Sequence, residues 1–393
     1  NQHREIESMA EYINGMNPEI LKWARERSGY SPEAAAKVLN KKKSFIVECE
    51  SGNCSLTYVQ LEKLADKYKR PVALFFLPNP PEEENIIDKL ALRRSEVKEL
   101  EPRIHILLRQ AYSRQLSLME LNNNTNPSEK KIFYDFNSQP NDSPKELANQ
   151  TRVYLNIDIK IQTEWKNATD ALENWRNCLE ENGIFIFKDA FKDDSVDGFC
   201  LLHSDFPVIY LNNTRAAVRQ IFTLFHELAH LLLGKNGVTR GINPQGGRIE
   251  SFCNKFAAEF LVPSDDMESQ TSFVEFDDDT VEKLATRYKV SRPVILLKLV
   301  EKGILNFEDY QHKVKGWTAL YDLHNKKKSN EDSPSGGSYY NTQATYLGYK
   351  YMTLAFKKYN QGLCSIEELA DYLNVKVKHI PQFEDRLLKR TLI

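Results

Sequence analysis

Phe222-Thr223-Leu224-Phe225-His226-Glu227-Leu228-Ala229-His230-Leu231-Leu232-Leu233-Gly234 contains H-E-x-x-H inside a Leu-rich run that meets no Pro or Gly before Gly234. Such a run predicts a buried helix. Residues four apart share a helix face, so His226 and His230 point the same way. Two imidazoles on one face can hold a zinc ion, and a glutamate beside them can act as a base toward water. Left without a metal, two buried histidines and a buried glutamate would each need a polar partner of their own.

A catalytic zinc site needs a third protein ligand and one open position. The candidate lies in Glu250-Ser251-Phe252-Cys253-Asn254-Lys255-Phe256-Ala257-Ala258-Glu259-Phe260-Leu261-Val262-Pro263, a second predicted helix that Pro263 ends. Its two carboxylates, Glu250 and Glu259, fall on opposite sides. Glu250 shares its side with Cys253, Ala257 and Leu261, small or apolar residues that let two helices approach closely. Glu259 sits beside Lys255 and reads as part of a solvated face. Glu250 is therefore the expected third ligand, with Cys253 as a soft alternative on the same face.

H-E-L-A-H-L-L-L-G followed by E-S-F-C-N-K-F-A-A-E-F-L-V-P resembles the ImmA/IrrE family of zinc metallopeptidases. In that family a glutamate in an E-x-x-(A/C)-N-x-F-A-A-x-(L/F)-L-x-P helix joins the histidine pair. The resemblance implies zinc as the cofactor, His226, His230 and Glu250 as its ligands, and Glu227 as the general base. Arg219-Gln220-Ile221-Phe222-Thr223-Leu224 is also similar to the family's approach to the first histidine. Phe225 departs from it, standing where the family usually has a small residue.

The chain has 393 residues, too long for one compact domain, and 41% of them are hydrophobic, enough to build cores. No apolar run is long enough to span a bilayer, and no signal pattern opens the sequence. The six cysteines, at 49, 54, 178, 200, 253 and 364, form no C-x-x-C and no regular framework. Scattered thiols suit a reducing, cytoplasmic setting, so a cytoplasmic protein without membrane contact is expected.

From Asn17 a compact helical pattern begins. Asn17-Pro18-Glu19, Ser31-Pro32-Glu33 and Thr57 read as helix starts, and a short helix over Phe45–Glu50 stops at Ser51-Gly52. Four short helices with a tight turn between the second and third suggest a helix-turn-helix. S-P-E-A-A-A-K-V-L-N and E-C-E-S-G-N-C-S-L-T-Y-V-Q-L-E-K-L-A-D resemble the XRE, or phage-repressor-like, family. That resemblance starts the recognition helix near Lys42 to Ser44. It makes Lys41, Lys42, Lys43 and Ser44 the expected contacts to double-stranded DNA, bound as a possible homodimer. Residues 17–78 hold eleven Lys/Arg against seven Asp/Glu, a modest positive excess that suits DNA. Glu48 and Glu50 near the helix end keep a protein-docking module open as the alternative.

Further along, Asn79–Glu84 reads as a linker, and Leu90–Leu121 as one or two helices. A helix over Glu164–Glu181 and strands over 183–187, 198–202 and 206–212 precede the metal helix. The acidic stretch 264–279 (including Glu275) reads as a solvated loop, and 281–303 as a helical pair. Asn325–Ser338 reads as a flexible loop, Thr342–Tyr359 as a helix, and Tyr339 and Tyr340 as packing or surface residues. His203 reads as an exposed loop histidine.

The expected fold is mainly α with a small β-sheet, an α+β arrangement. An N-terminal tail (1–16) leads to an all-α helix-turn-helix domain (17–78) and a linker and helical connector (79–129). A gluzincin-like minimal peptidase core (130–308) and a helical C-terminal region (309–393) follow. The expected function is a DNA-binding regulator carrying a zinc-dependent endopeptidase that cleaves a protein partner such as a repressor or antitoxin. The alternative is a regulator that binds DNA and a partner protein, with structural or sensory zinc and no proteolysis.

Overall fold

The computed structural model describes residues 12–89, 100–239, 247–271, 277–317 and 339–391. Part of the predicted N-terminal tail, residues 90–99 of the expected Leu90–Leu121 span, Glu275 and the 325–338 loop lie outside the described residues; within that span a helix runs over Pro102–Leu121. The chain is mainly helical with one small sheet, an α+β fold. It divides into two compact units, residues 1–112 and 113–393. Among the described residues no helix is long and apolar enough to cross a membrane.

In the first unit, α1 (Pro18–Arg27), α2 (Pro32–Val38) and α4 (Tyr58–Tyr68) start where the local chemistry predicts, while α3 (Lys43–Glu50), which no side chain caps, starts two residues before the expected Phe45. Asn17 and Ser31 accept hydrogen bonds from the backbone of Glu19 and Ala34, and each is followed by Pro at the first helical position. Thr57 and Gln60 form a reciprocal capping box. Ile20, Leu21, Ala24, Ala35, Ile46, Leu61, Leu64 and Phe75 meet in one core. Asn40 takes φ of 53°, a left-handed conformation that Asn tolerates, and so turns the chain sharply between α2 and α3. Glu50 is a structural residue: its carboxylate is 2.6 Å from the Arg25 guanidinium, and both side chains are 7% exposed.

The second unit is organised by its sheet and the helix laid on it. Strands β1 (Phe185–Asp189), β2 (Gly198–Leu201), β3 (Val208–Asn212) and β4 (Gly237–Thr239) stand in the order β1-β3-β2-β4. β1 and β3 run parallel, while β2 is antiparallel to both β3 and β4. Helix α5 (Ala168–Glu181) precedes the sheet, and α6 (Ala217–Leu232) packs on β2, β3 and β4 and against both α5 and α7 (Arg248–Leu261). Every residue of α6 from Gln220 to Leu232 is buried, as an apolar run covered on all sides requires. Gly198 lets the strand reach the helix, because a β-carbon there would stand 2.5 Å from the Thr223 methyl.

Three expectations change. The helix ending at Glu181 starts at Ala168 rather than Glu164, because Asn167 caps it through the amides of Thr169 and Asp170. Ser264–Thr271, expected as loop, is a helix, α8, whose Met267 is fully buried. The helical pair that follows it is α9 (Asp278–Tyr288) and α10 (Arg292–Glu301). The helix expected over Thr342–Tyr359 is two, α11 (Tyr339–Leu347) and α12 (Tyr349–Asn360), parted at Gly348 with φ of 81°. A β-carbon at Gly348 would collide with the guanidinium of Arg176. Arg176 is buried, bonded to Glu180 at 3.1 Å and to the carbonyls of Thr345 and Ile186. Gly348→Ala is therefore expected to cost more than about 1 kcal/mol, read as a lower thermal midpoint. An unchanged midpoint would remove the steric argument.

Candidate metal centre

His226 and His230 lie one turn apart on α6, buried at 0% and 1% exposure. Glu250 lies in the first turn of α7. Its two oxygens stand 3.1 Å from Nε2 of His226 and 3.2 Å from Nε2 of His230, and the two Nε2 atoms are 3.2 Å apart. Zinc held at about 2.0–2.2 Å in tetrahedral geometry spaces its ligand atoms about 3.3–3.6 Å apart, so these three donors are close to that spacing. The Glu250 side chain is 41% exposed, which leaves the centre an opening toward solvent.

Cys253, one turn beyond Glu250, is fully buried, and its sulfur forms a second donor group with the two histidines, all atoms within 4.8 Å. Small Ala257 continues the same face of α7, as the sequence argument for close approach requires. The electrostatics favour a cation here. Burial alone would raise the Glu250 carboxyl, yet the imidazoles of His226 and His230 against it hold it well below the usual carboxylate range. Burial alone would lower His230, yet Cys253 and Glu250 facing it raise it well above an ordinary histidine.

Two neighbours orient the donors. Nδ1 of His226 is 3.0 Å from Oδ1 of Asn254, itself buried. An amide oxygen accepts there, so the Nδ1 position carries the proton and Nε2 keeps its lone pair for a metal. β4 lies against His230 because Gly237 has no side chain; a β-carbon would stand 2.6 Å from the ring.

Glu227 is fully buried on the adjoining face of α6. The Thr239 hydroxyl donates to its Oε1 at 2.5 Å, while its Oε2 has no hydrogen-bond partner among the described residues. A buried, unpartnered carboxylate oxygen beside two imidazoles is costly unless something else occupies the space before it. Sequence reasoning misses Thr239 and Asn254. Asn254 carries a signal, its place four residues after Glu250 on one helix face. Thr239 carries none, since a three-residue strand shows no periodicity.

Other residues separate cleanly. Phe225 points away from the metal face, stacking on Phe260 at 4.1 Å and meeting Trp175 edge-on at 4.9 Å. Arg219 and Arg215 both bind buried Asp197, at 2.6 and 2.8 Å, and tie the start of α6 to the sheet. Glu259 is not on a solvated face: it is 4% exposed and paired with Lys298 and the Ser264 hydroxyl. The charge that satisfies it comes from α10, not from neighbouring Lys255. His203 accepts at Nδ1 from the amides of Asp205 and Phe206 and caps a turn. Tyr339 and Tyr340 pack on His379 and Phe383, and the Tyr340 hydroxyl is 2.9 Å from His379. In the first unit, Lys41, Lys42, Lys43 and Ser44 are all exposed around the start of α3.

No curated protein and no solved structure gave a significant match to the chain. Residues 179–300 match the family described as the IrrE N-terminal-like domain, Peptidase_M78. The matched span runs from the end of α5 to α10 and contains the sheet, both histidines, Glu227, Glu250 and Cys253. That match makes residues 179–300 similar to the IrrE N-terminal-like domain, and it supports the ImmA/IrrE resemblance of this part of the chain.

Proposed function

We propose that this protein is a zinc-dependent endopeptidase that cuts a specific protein partner, a repressor or antitoxin, and that its N-terminal helices bind double-stranded DNA. The convergence of His226, His230 and Glu250 within 3.2 Å of one another, with Glu227 poised beside them, carries the peptidase reading. His226, His230 and Glu250 hold the metal, and Cys253 stands behind them. When bound, zinc supplies a Lewis acid that polarises the scissile carbonyl and makes water acidic enough to attack near neutral pH. Glu227 takes the proton from the attacking water and passes it to the leaving amine. Thr239 holds Oε1 of Glu227 and leaves Oε2 free for that transfer.

Expressing tagged wild type and Glu227→Gln side by side in the native host tests this. A partner retained by the variant and recovered shortened with wild type supports proteolysis. The same intact partner recovered with both shows that the centre does not cut it. Asn254→Ala is expected to weaken zinc binding about 10- to 100-fold, read by competition with a chelator, because His226 loses its orienting acceptor. Unchanged affinity would deny Asn254 that role.

For the DNA limb, the exposed Lys41, Lys42, Lys43 and Ser44 at the start of α3 supply phosphate and base contacts. A second reading, docking to protein rather than DNA, is favoured by exposed Val47, Tyr58 and Val59, at 45%, 53% and 57%. Band shifts on the upstream region of the gene separate the two. DNA binding predicts an affinity that falls steeply with salt, and Lys42→Ala with Lys43→Ala lowers the salt slope by about 0.9 for each phosphate no longer neutralised. Absence of salt-sensitive binding to any fragment leaves the docking reading.

A further inference from the structure

The second unit contains a cavity of about 770 Å³ that the metal chemistry does not use. Its size falls within the range of small-molecule sites. Four cations line it, Lys166, Arg219, Lys289 and Arg292, against one carboxylate, Glu282. Arg219 is matched by Asp197, and Arg292 by Glu282 at 2.9 Å. The Lys289 ammonium instead meets three backbone carbonyls, of Thr163, Thr286 and Arg287, at 3.1–3.3 Å. Neither Lys166 nor Lys289 forms an ion pair among the described residues. The wall thus keeps a net positive charge.

Aromatic surface stands beside that charge. Phe222, Tyr310 and Trp317 line the same cavity. The Arg292 guanidinium lies 4.7 Å from the centre of the Trp317 ring, so charge and a flat apolar face are presented together. Two helices also begin on this wall with no side chain capping them, α6 after Ala216 and α10 after Ser291. Pro293 has no amide, and those of Arg219 and Val294 already bond the carbonyls of Ala216 and Ser291, so the helices add to the attraction for an anion mainly through their dipoles. The cavity is too large for a bare oxyanion, and its net charge disfavours a neutral hydrocarbon.

We propose that this cavity binds a nucleoside phosphate, with the phosphate held by Lys166 and Lys289 and the base against the Arg292–Trp317 pair. Such a ligand would touch the helix that carries the metal donors: Phe222 lies on the wall, and its ring centre is 6.4 Å from that of His226. The proposal stands or falls independently of whether the metal centre cuts peptides.

Calorimetric titration of the full chain with AMP, GMP, CMP and UMP tests it, with adenosine and inorganic phosphate as the separate halves. Monophosphates are chosen because they compete little for zinc. At least one mononucleotide should saturate, and both halves should bind about tenfold or more weakly. Lys166→Glu, at an exposed position, should weaken binding about tenfold, equivalent to about 1.4 kcal/mol. Thr286→Trp, which fills the cavity from an exposed helix position, should abolish it while circular dichroism stays unchanged. No saturation by any of the four up to about 1 mM would overturn the proposal. So would binding that survives both variants, or inorganic phosphate binding as tightly as the nucleotides.

Discussion

Glu227→Gln is expected to bind zinc as tightly as the native chain and to cleave its protein substrate about 100- to 10,000-fold more slowly. The side chain keeps its shape, and its Oε1 can still accept from the Thr239 hydroxyl, which stands 2.5 Å away. The donor triangle of His226, His230 and Glu250 does not include Glu227, so metal affinity should hold. The change falls on Oε2, the Glu227 oxygen with no hydrogen-bond partner among the described residues. An amide nitrogen in that place cannot take a proton from water. Zinc content and cleavage of the trapped partner, measured on the same preparation, read the two effects separately. Cleavage at the native rate would remove Glu227 as the base, and loss of zinc would move it into the ligand set.

The geometry of the centre is legible because its parts are local. His226 and His230 are related by one helical turn, and a Leu-rich run announces that the turn is buried. Glu250 can be chosen over Glu259 from the small residues on its side of the helix. What the sequence hides depends on partners far along the chain. Glu259 reads wrongly as solvated because its nearest charged neighbour in sequence, Lys255, is exposed, while Lys298 lies 39 residues away. Thr239 reaches Glu227 from a strand too short to carry a pattern, and that strand pairs with β2 across nearly forty residues of chain. Gly348 looks like a tolerated helix glycine. It has a positive φ, and a β-carbon there would collide with Arg176, a buried cation that no local pattern in its neighbourhood reveals. The helix caps at Asn17, Ser31 and Thr57 are readable for the opposite reason, since a cap and its amides lie within three residues.

Lys298→Met should destabilise the second unit by about 3–5 kcal/mol, because it leaves buried carboxylates without their cation. Lys298 is 2% exposed, and its ammonium is paired with Glu259, lies 3.3 Å from Glu301 and donates to the Ser264 hydroxyl at 2.9 Å. In the native chain burial pushes Glu259 upward, but the Lys298 hydrogen bond and charge, with Ser264, hold its carboxyl below the ordinary value. A depressed folded-state carboxyl contributes stability that is complete above its unfolded value, about 4.3, and is lost as pH falls through the folded one. Glu301 opposes this weakly: burial raises it despite Lys298, so its ionised form costs some stability at neutral pH. Removing Lys298 strips the interaction that depresses Glu259 and leaves burial acting on both. The variant should therefore gain stability as pH falls from 7 toward the carboxylate range, whereas the Glu259 contribution in the native chain declines there. Denaturant unfolding at several pH values checks the sign. The double variant Lys298→Met with Glu259→Gln should recover part of the loss, because one uncompensated charge is gone. Equal stability of the single variant and native chain, or a loss that the second substitution deepens, would show that Lys298 acts by packing rather than by charge.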